Sequence, residues 1–331
     1  MKRMEKVSSF SRFFSVLSGI FLISAVSFAA GDKEKAKEHF NAGLTASQGG
    51  KTDEAILGYQ AAIAEDPSFI DAYIHLGAIY FKKNDFQSAL TMYRTVTEKD
   101  AKNLTALSNL ANVEYELKRY VEAEGHLNAA IGMSPKDASL YKDLGKVYFA
   151  KRDYEETIKA ASKCHELGGA DYVTHYIQGK SYQNLEKPGE AIGCFQKSVQ
   201  LQKKNYNALF ALGQVYLSQG NYLDAANNFD LALKASPTKH LAAYNYAVAV
   251  ESRQPENYVV NIEAWEKFVR LAKSNPKARE QIAEAENHLK ELRVAKMALK
   301  FRAERVERIH IEADVQEAGV EQNWSDQPPE L

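Results

Sequence analysis

Several residues of this 331-residue chain have side chains that could do chemistry, but their spacing does not support catalysis. Gly179-Lys180-Ser181 matches the end of a phosphate-binding loop, whereas the upstream glycine that such a loop needs is replaced by Thr174. The eight histidines are scattered, and the adjacent pair Cys164-His165 cannot face one metal ion along a helix. We therefore predict no enzyme activity, no metal site and no cofactor.

Composition and charge exclude further classes of protein. The chain has 42 Lys and Arg against 43 Asp and Glu, a formal net charge of -1 and 45% hydrophobic residues. These values exclude collagen-like, disulfide-rich and disordered chains. A duplex nucleic-acid binder normally carries a basic excess that displaces counterions from phosphate. We therefore expect neither a nucleic-acid partner nor a small-molecule substrate.

Residues 1–29 have the pattern of an export signal. A basic start, with Lys2, Arg3, Lys6 and Arg12, precedes an apolar run that ends in small residues at Ser27-Phe28-Ala29. We predict cleavage after Ala29 and a periplasmic or extracellular location. The alternative is an uncleaved anchor, since the run through Ala30 is just long enough to cross a membrane, and only then would the protein be held at the inner membrane.

The rest of the sequence repeats with a period of 34 residues, because three series of residues keep this step in one register. The first series is almost entirely glycine, the second is mostly alanine and the third is mostly bulky. Their members are Gly43, Gly77, Ala111, Gly145, Gly179 and Gly213; Ala55, Ala89, Ala123, Thr157, Ala191 and Ala225; and Tyr59, Tyr93, Leu127, Ala161, Phe195 and Phe229.

Each 34-residue block predicts two short antiparallel helices. In the block from Ile70 to Asn103, apolar residues recur at helical spacing on both sides of a turn at Asn84-Asp85. Glycine in the first helix and alanine in the second let the helix axes approach closely, and the bulky residue beside them fills the remaining gap. A single helical pair could not bury its apolar face, so the blocks must stack.

At these residues the sequence resembles the tetratricopeptide repeat family, with the sixth block giving a close match. The resemblance implies an all-α, right-handed superhelical solenoid of about seven repeats over residues 36–276. The blocks are 36–69, 70–103, 104–137, 138–171, 172–205, 206–239 and 240–276, with an insertion near Arg253 to Asn257. The matching residues of the sixth block are Leu212, Gly213, Tyr216, Tyr222, Ala225, Phe229, Ala232 and Pro237.

The resemblance also implies a concave groove that is lined by the first helices and binds peptides or proteins. One groove position of each block carries several amide side chains, which can donate to and accept from a peptide backbone. The alternative is a row of solvated polar residues on an exposed helix face. The residues at this position are Asn41, His75, Asn109, Asp143, Ile177, Ala211 and Asn245.

Other groove positions predict a ligand that is polar or acidic at one end and apolar at the other. Lys142, Lys146 and Lys180 are expected to converge mid-groove beside Asn112, where ammonium groups could hold an acidic group. Towards the C-terminus the predicted face becomes apolar. Its apolar members there are Tyr176, Ile177, Phe210, Leu217 and Tyr244, and Gln214 is a further predicted groove residue.

The two cysteines, Cys164 and Cys194, lie in second helices of consecutive blocks. Their spacing could place them on facing ridges, and an exported chain permits a disulfide. The alternative is that both are small buried residues with free thiols.

After the repeats, residues 277–308 contain no Gly or Pro and predict one long helix. Its first half should cap the last repeat, and residues 282–306 could pair with a second copy of the chain. Residues 309–331 are rich in acids and predict a flexible acidic tail.

Two functions follow from these patterns. The first is an exported, non-enzymatic adaptor that binds a peptide segment or protein partner in the groove, within a cell-envelope assembly. The second is a structural subunit that oligomerises through its convex face and its C-terminal helix.

Overall fold

The computed structural model describes residues 32–317, and these residues form α-helices, one 3-10 turn and short loops. The all-α class predicted from the repeat pattern is confirmed. The chain divides into two compact units between Ala170 and Asp171. The predicted export signal at residues 1–29 lies outside the described residues.

The first unit contains four helical pairs. Each first helix packs against its own second helix, and α3 and α7 also contact α5, the first helix between them. The helices are α1 (Lys33–Gln48), α2 (Thr52–Glu65), α3 (Ile70–Lys82), α4 (Phe86–Lys99), α5 (Leu104–Glu116), α6 (Tyr120–Met133), α7 (Ala138–Lys151) and α8 (Tyr154–Glu166).

The second unit contains three further pairs and a long terminal helix. Its first helices α9, α11 and α13 again contact one another in sequence. The helices are α9 (Tyr172–Asn184), α10 (Pro188–Leu201), α11 (Tyr206–Ser218), α12 (Tyr222–Ala235), α13 (His240–Arg253), α14 (Tyr258–Ala272) and α15 (Arg279–Glu317), with the 3-10 turn at Pro276–Ala278. The predicted insertion falls at the loop between α13 and α14.

The turn inside each of the first six pairs has one residue with positive φ, and these residues are 34 apart. Glycine occupies this position at residues 50 and 220, whereas Asn84, Lys118, Arg152 and Glu186 adopt it with φ between 56° and 67°. Four successive first helices also begin with the same type of N-cap. The N-cap side chain accepts a hydrogen bond from a backbone N–H in the first turn of its helix, and the N-cap residues are Asn103, Asp137, Asp171 and Asn205. The repeat thus fixes its helix boundaries locally.

The core confirms the predicted pairing of glycine with a bulky residue. A Cβ atom added at Gly77 would lie 2.9 Å from the Tyr93 ring, and one added at Gly213 would lie 2.7 Å from the Phe229 ring. Phe229 is fully buried and Tyr93 nearly so, and burial raises the pKa of Tyr93 to about 12. Glycine is therefore needed at these positions because the aromatic ring occupies the space of a side chain.

The first part of α15 caps the last helical pair of the second unit. Ala285, Leu289 and Leu292 are buried in the same core cluster as residues of α13 and α14. Glu251 of α13 accepts hydrogen bonds from Trp265 Nε1 of α14 at 2.7 Å and pairs with His288 Nε2 of α15 at 2.9 Å. Apolar burial and carboxylate pairs, which include Arg293 of α15 with Glu266 of α14 at 2.8 Å, therefore hold α15 in place.

The C-terminal boundaries differ from the prediction. α15 continues to Glu317, so the predicted helix 277–308 is too short, and the predicted tail 309–331 begins as helix. Charged residues do not end a helix, and no Gly or Pro interrupts this one before Glu317. The remainder of the predicted tail lies outside the described residues. No helix within residues 32–317 is long and apolar enough to cross a membrane.

The disulfide considered for Cys164 and Cys194 is not formed in the structure, and both residues remain thiols. Each thiol has its own partner: Cys164 Sγ donates to the Gly169 carbonyl at 3.2 Å, and Cys194 Sγ donates to Gln178 Oε1 at 3.5 Å. Burial raises the pKa of the Cys194 thiol to about 11, which keeps it protonated and poorly nucleophilic.

Candidate functional site

The first helices of the first unit carry a face of polar side chains. Asn41 and His75 are exposed on α1 and α3, and Asn109 and Asn112 are partly exposed on α5. The His75 ring packs against Phe40, with a centroid distance of 5.2 Å, which fixes its position on this face. Within residues 32–317, no hydrogen bond engages the side-chain amide of Asn109 or Asn112. Each amide can therefore offer one acceptor and two donors to a ligand.

Next along this face, α7 carries an ion pair. Lys146 Nζ lies 2.8 Å from Asp143 Oδ1, and the two side chains are 33% and 15% exposed. The sequence predicted that the ammonium group of Lys146 would be available to an acidic ligand. In the structure Asp143 already balances its charge. The pair instead presents a donor and an acceptor together, which suits a peptide backbone better than a lone carboxylate. Lys142 lies on the same helix and is half-buried.

In the second unit, the predicted polar row does not continue. Ile177 and Ala211 are 6% and 2% exposed, so both belong to the core and not to a groove. Ile177 is buried because an apolar side chain on a packed first helix gains more from contact than from exposure. Asn245 is partly exposed, but its Nδ2 atom donates to the Leu241 carbonyl at 2.8 Å, which leaves its oxygen and one N–H for a ligand.

The predicted apolar end of the groove consists largely of half-buried rings that support the core. Phe210 stacks on Tyr206 at a centroid distance of 5.6 Å and also contacts the Phe229 ring. Tyr244 packs edge-on against Trp265 and Phe268. Tyr176, Gln214 and Leu217 are likewise half-buried. A ligand could reach only part of each of these side chains.

Lys180 of α9 has a local partner in the second unit. Its ammonium group donates to Gln183 Oε1 at 2.7 Å, and burial lowers the pKa of the lysine. Lys142 and Lys146 belong to the first unit, so the convergence of the three lysines stays a prediction.

Sequence reasoning missed a charged pair on α5 and α6. Glu114 is only 2% exposed, and its Oε2 atom lies 2.7 Å from His126 Nδ1. The hydrogen bond with Glu114 raises the pKa of His126 above its ordinary value. One signal could have identified the pair. Tyr80, Tyr148, Tyr182 and Tyr216 share one position of the 34-residue register, and Glu114 stands where that series would have a tyrosine.

The described residues provide little for metal or acid-base chemistry. No group of three or more His, Cys, Asp or Glu side chains within residues 32–317 is arranged to hold a metal ion. The first helices instead offer amide groups and the Asp143–Lys146 ion pair, which suit hydrogen bonding to a ligand.

Sequence comparison finds matches to one type of repeat along much of the chain. A family model described as "Tetratricopeptide repeat" matches residues 76–138, 176–240 and 210–255. A second model, described as "TPR repeat", matches residues 43–84. Together these matches cover more than half of the chain.

Curated relatives are distant and longer. A peroxisomal targeting signal receptor of Eremothecium gossypii is 23% identical over 227 residues, which are 59% of this chain and 40% of the receptor. Anaphase-promoting complex subunit 3 of Schizosaccharomyces pombe is 19% identical over 187 residues, which are 56% of this chain and 28% of that subunit. The chain thus spans well under half the length of these relatives.

Two solved structures show the same fold at low identity. The chain in the crystal structure of the APC/C hetero-tetramer Cut9-Hcn1 is similar with a TM-score of 0.55 and 21% identity, over 70% of this chain and 46% of that chain. YrrB, described as a TPR protein with an unusual peptide-binding site, is similar with a TM-score of 0.50 and 21% identity, over 59% of this chain and 97% of that chain.

Proposed function

Because the chain belongs to the tetratricopeptide repeat family, we propose that it is a non-enzymatic adaptor that binds a peptide segment or protein partner along its first helices. Relatives named as a targeting signal receptor and as a subunit of a large complex support a protein-binding role. The repeats occupy most of the chain, which also favours binding over catalysis.

The observation that carries this proposal is the polar face on α5 and α7. Asn109 and Asn112 present amides that no described side chain engages, and α7, which packs on α5, adds the Asp143–Lys146 pair. These groups offer donors and acceptors in alternation, as an extended peptide backbone requires. The ligand is therefore recognised mainly through its backbone in the first unit.

A peptide selected from a random library against the full chain tests the proposal. We expect Asn109→Ala and Lys146→Glu each to weaken binding of that peptide at least about tenfold, or about 1.4 kcal/mol. Lys159→Glu is the matched control, because Lys159 forms a similar pair with Glu156 on a second helix. Unchanged affinity in both first-helix variants would contradict the proposal.

A second candidate function is structural oligomerisation through the second helices and α15. It is favoured by large apolar residues that are exposed on second helices, among them Leu57 of α2 and Val121 of α6. In that case the first-helix substitutions would leave assembly intact.

We also propose that the protein is exported and works within a cell-envelope assembly. The basic start and apolar run of residues 1–29 support export. When the complete chain is expressed in bacteria, we expect the intact mass of the exported protein to correspond to a chain that begins at Ala30. Full-length protein in the membrane fraction would instead support an uncleaved anchor. Full-length protein in the cytosol would contradict export in either form.

A further inference from the structure

The distal half of α15 has an unusual concentration of exposed apolar side chains. Within residues 294–311, seven large hydrophobic residues are between 38% and 67% exposed. These residues are distributed around the helix, and three of them, Leu299, Val306 and Ile309, lie along one stripe. The residues are Val294, Met297, Leu299, Phe301, Val306, Ile309 and Ile311.

One stripe of this helix passes from a buried to an exposed environment. Positions 292, 295, 299, 302, 306, 309 and 313 alternate steps of three and four, which is the spacing of a coiled-coil seam. Leu292, at the start, is 5% exposed because it docks on the second unit. Leu299, Val306 and Ile309 continue the stripe and are 47%, 53% and 54% exposed. The stripe, which Arg302 interrupts, is therefore left exposed beyond Leu292 in the part of the chain that the structure describes.

This geometry corrects the surface predicted for pairing. Ala285, Leu289 and Leu292 lie within the predicted segment 282–306, but they are already buried in the core cluster of the second unit. They are not available to another chain. Only the portion beyond Leu292 has apolar surface left to cover.

The charges of the distal half of α15 favour a second copy of this chain as the partner, in antiparallel orientation. Residues 294–302 contain three cations and no acid, namely Lys296, Lys300 and Arg302, whereas Arg293 just before them is already paired with Glu266. Residues 304–313 contain three glutamates and two arginines. A parallel pair would place two strongly basic segments side by side, whereas an antiparallel pair places each basic segment beside a mildly acidic one. The segment is thus complementary to itself when it is reversed.

We propose that residues 294–313 pair antiparallel with the same segment of a second copy of this chain. With the two-fold axis near residue 304, Leu299 of one copy faces Ile309 of the other, as the seam spacing requires. The pairing rests on the part of the second candidate function that involves α15, without the second helices, and is independent of peptide binding on the first helices.

Light scattering of the full chain over a dilution series tests the pairing. We expect a dimer for the wild type and a monomer for Leu299→Glu/Ile309→Glu, because these two positions face each other across the two-fold axis and the new carboxylates would be buried together without a cation. Leu231→Glu, at a residue of α12 that is 46% exposed, is the matched control and is expected to remain dimeric. A monomeric wild type, a dimeric seam variant or a monomeric control would each overturn the proposal.

A charge reversal tests the orientation, because it changes the dimer dissociation constant in opposite directions in the parallel and antiparallel arrangements. Lys296→Glu is expected to raise the dimer dissociation constant at least about tenfold. In an antiparallel pair with the two-fold axis near residue 304, the new acid lies beside Glu312 of the second copy. In a parallel pair the same change would remove repulsion between two basic segments and lower the constant, and that result would overturn the antiparallel assignment. The selected peptide should bind all these variants like the wild type, which separates failure of the pairing from failure of the adaptor function.

Discussion

Replacing Phe229 by alanine is expected to lower the free energy of unfolding of the second unit by about 3–5 kcal/mol. Phe229 of α12 is fully buried, and its ring contacts Phe210 and fills the space above Gly213. Removal of the ring leaves a cavity that a helix backbone cannot close. Denaturant unfolding, followed by circular dichroism, measures the loss.

Two controls tie this loss to the ring. Leu231→Ala on the same helix removes a side chain that is 46% exposed, and we expect it to cost less than about 1 kcal/mol. Gly213→Ala should destabilise the wild type but much less the Phe229→Ala variant, because the added methyl group then enters the cavity. A cost below about 1 kcal/mol for Phe229→Ala, or equal effects of Gly213→Ala in both backgrounds, would contradict the proposed packing.

Replacing His126 by alanine is expected to lower the free energy of unfolding by about 2–3 kcal/mol, because it leaves the carboxylate of Glu114 buried without its partner. This value is at the lower end of the range for buried pairs, since the His126 side chain is about one-third exposed and solvent screens its charge. The same unfolding measurement, applied to the wild type and the variant near pH 6, tests it.

The pair also has a predicted dependence on pH. The pKa of His126 is raised by its hydrogen bond with Glu114, so the protonated ring favours the folded state. Its extra stabilisation is complete below the unfolded pKa of about 6.5 and is lost as the pH rises through the higher folded pKa. The difference in stability between wild type and His126→Ala should therefore shrink from pH 6 towards pH 9.

The His126 ring can be followed directly. In Glu114→Gln we expect its pKa, measured from the ring proton resonances, to move back towards about 6.5. A pKa that does not respond to Glu114→Gln, or a stability difference that does not change with pH, would contradict the pairing.

The 34-residue register predicted the helical pairs well because its determinants are local. Gly213 and Phe229 lie on the two helices of one repeat, which a single short loop connects. Each bulky residue requires the small residue against which it packs. Residue type at one register position could not distinguish a groove residue from a core residue. Ile177 and Ala211 share that position with Asn109, but apolar side chains there are buried by their neighbours.

Other features depend on contacts that the repeat does not encode. The contact between Glu114 and His126 occurs in one repeat and not in its neighbours, and only the break in the tyrosine series indicates it. The end of α15 was predicted too early because a change in charge was interpreted as a change in structure. Ion pairs four residues apart, such as Lys300–Glu304 with charged atoms at 3.7 Å, stabilise a helix that is rich in charged residues.

Binding of a peptide along the first helices is tested most directly by amide hydrogen exchange. Exchange is measured on the full chain with and without the selected peptide. We expect binding to slow exchange in α5 and α7, which carry Asn109, Asn112 and the Asp143–Lys146 pair. The second helices α4, α6 and α8 should change little. Slowed exchange that is confined to those second helices or to α15 would contradict the account.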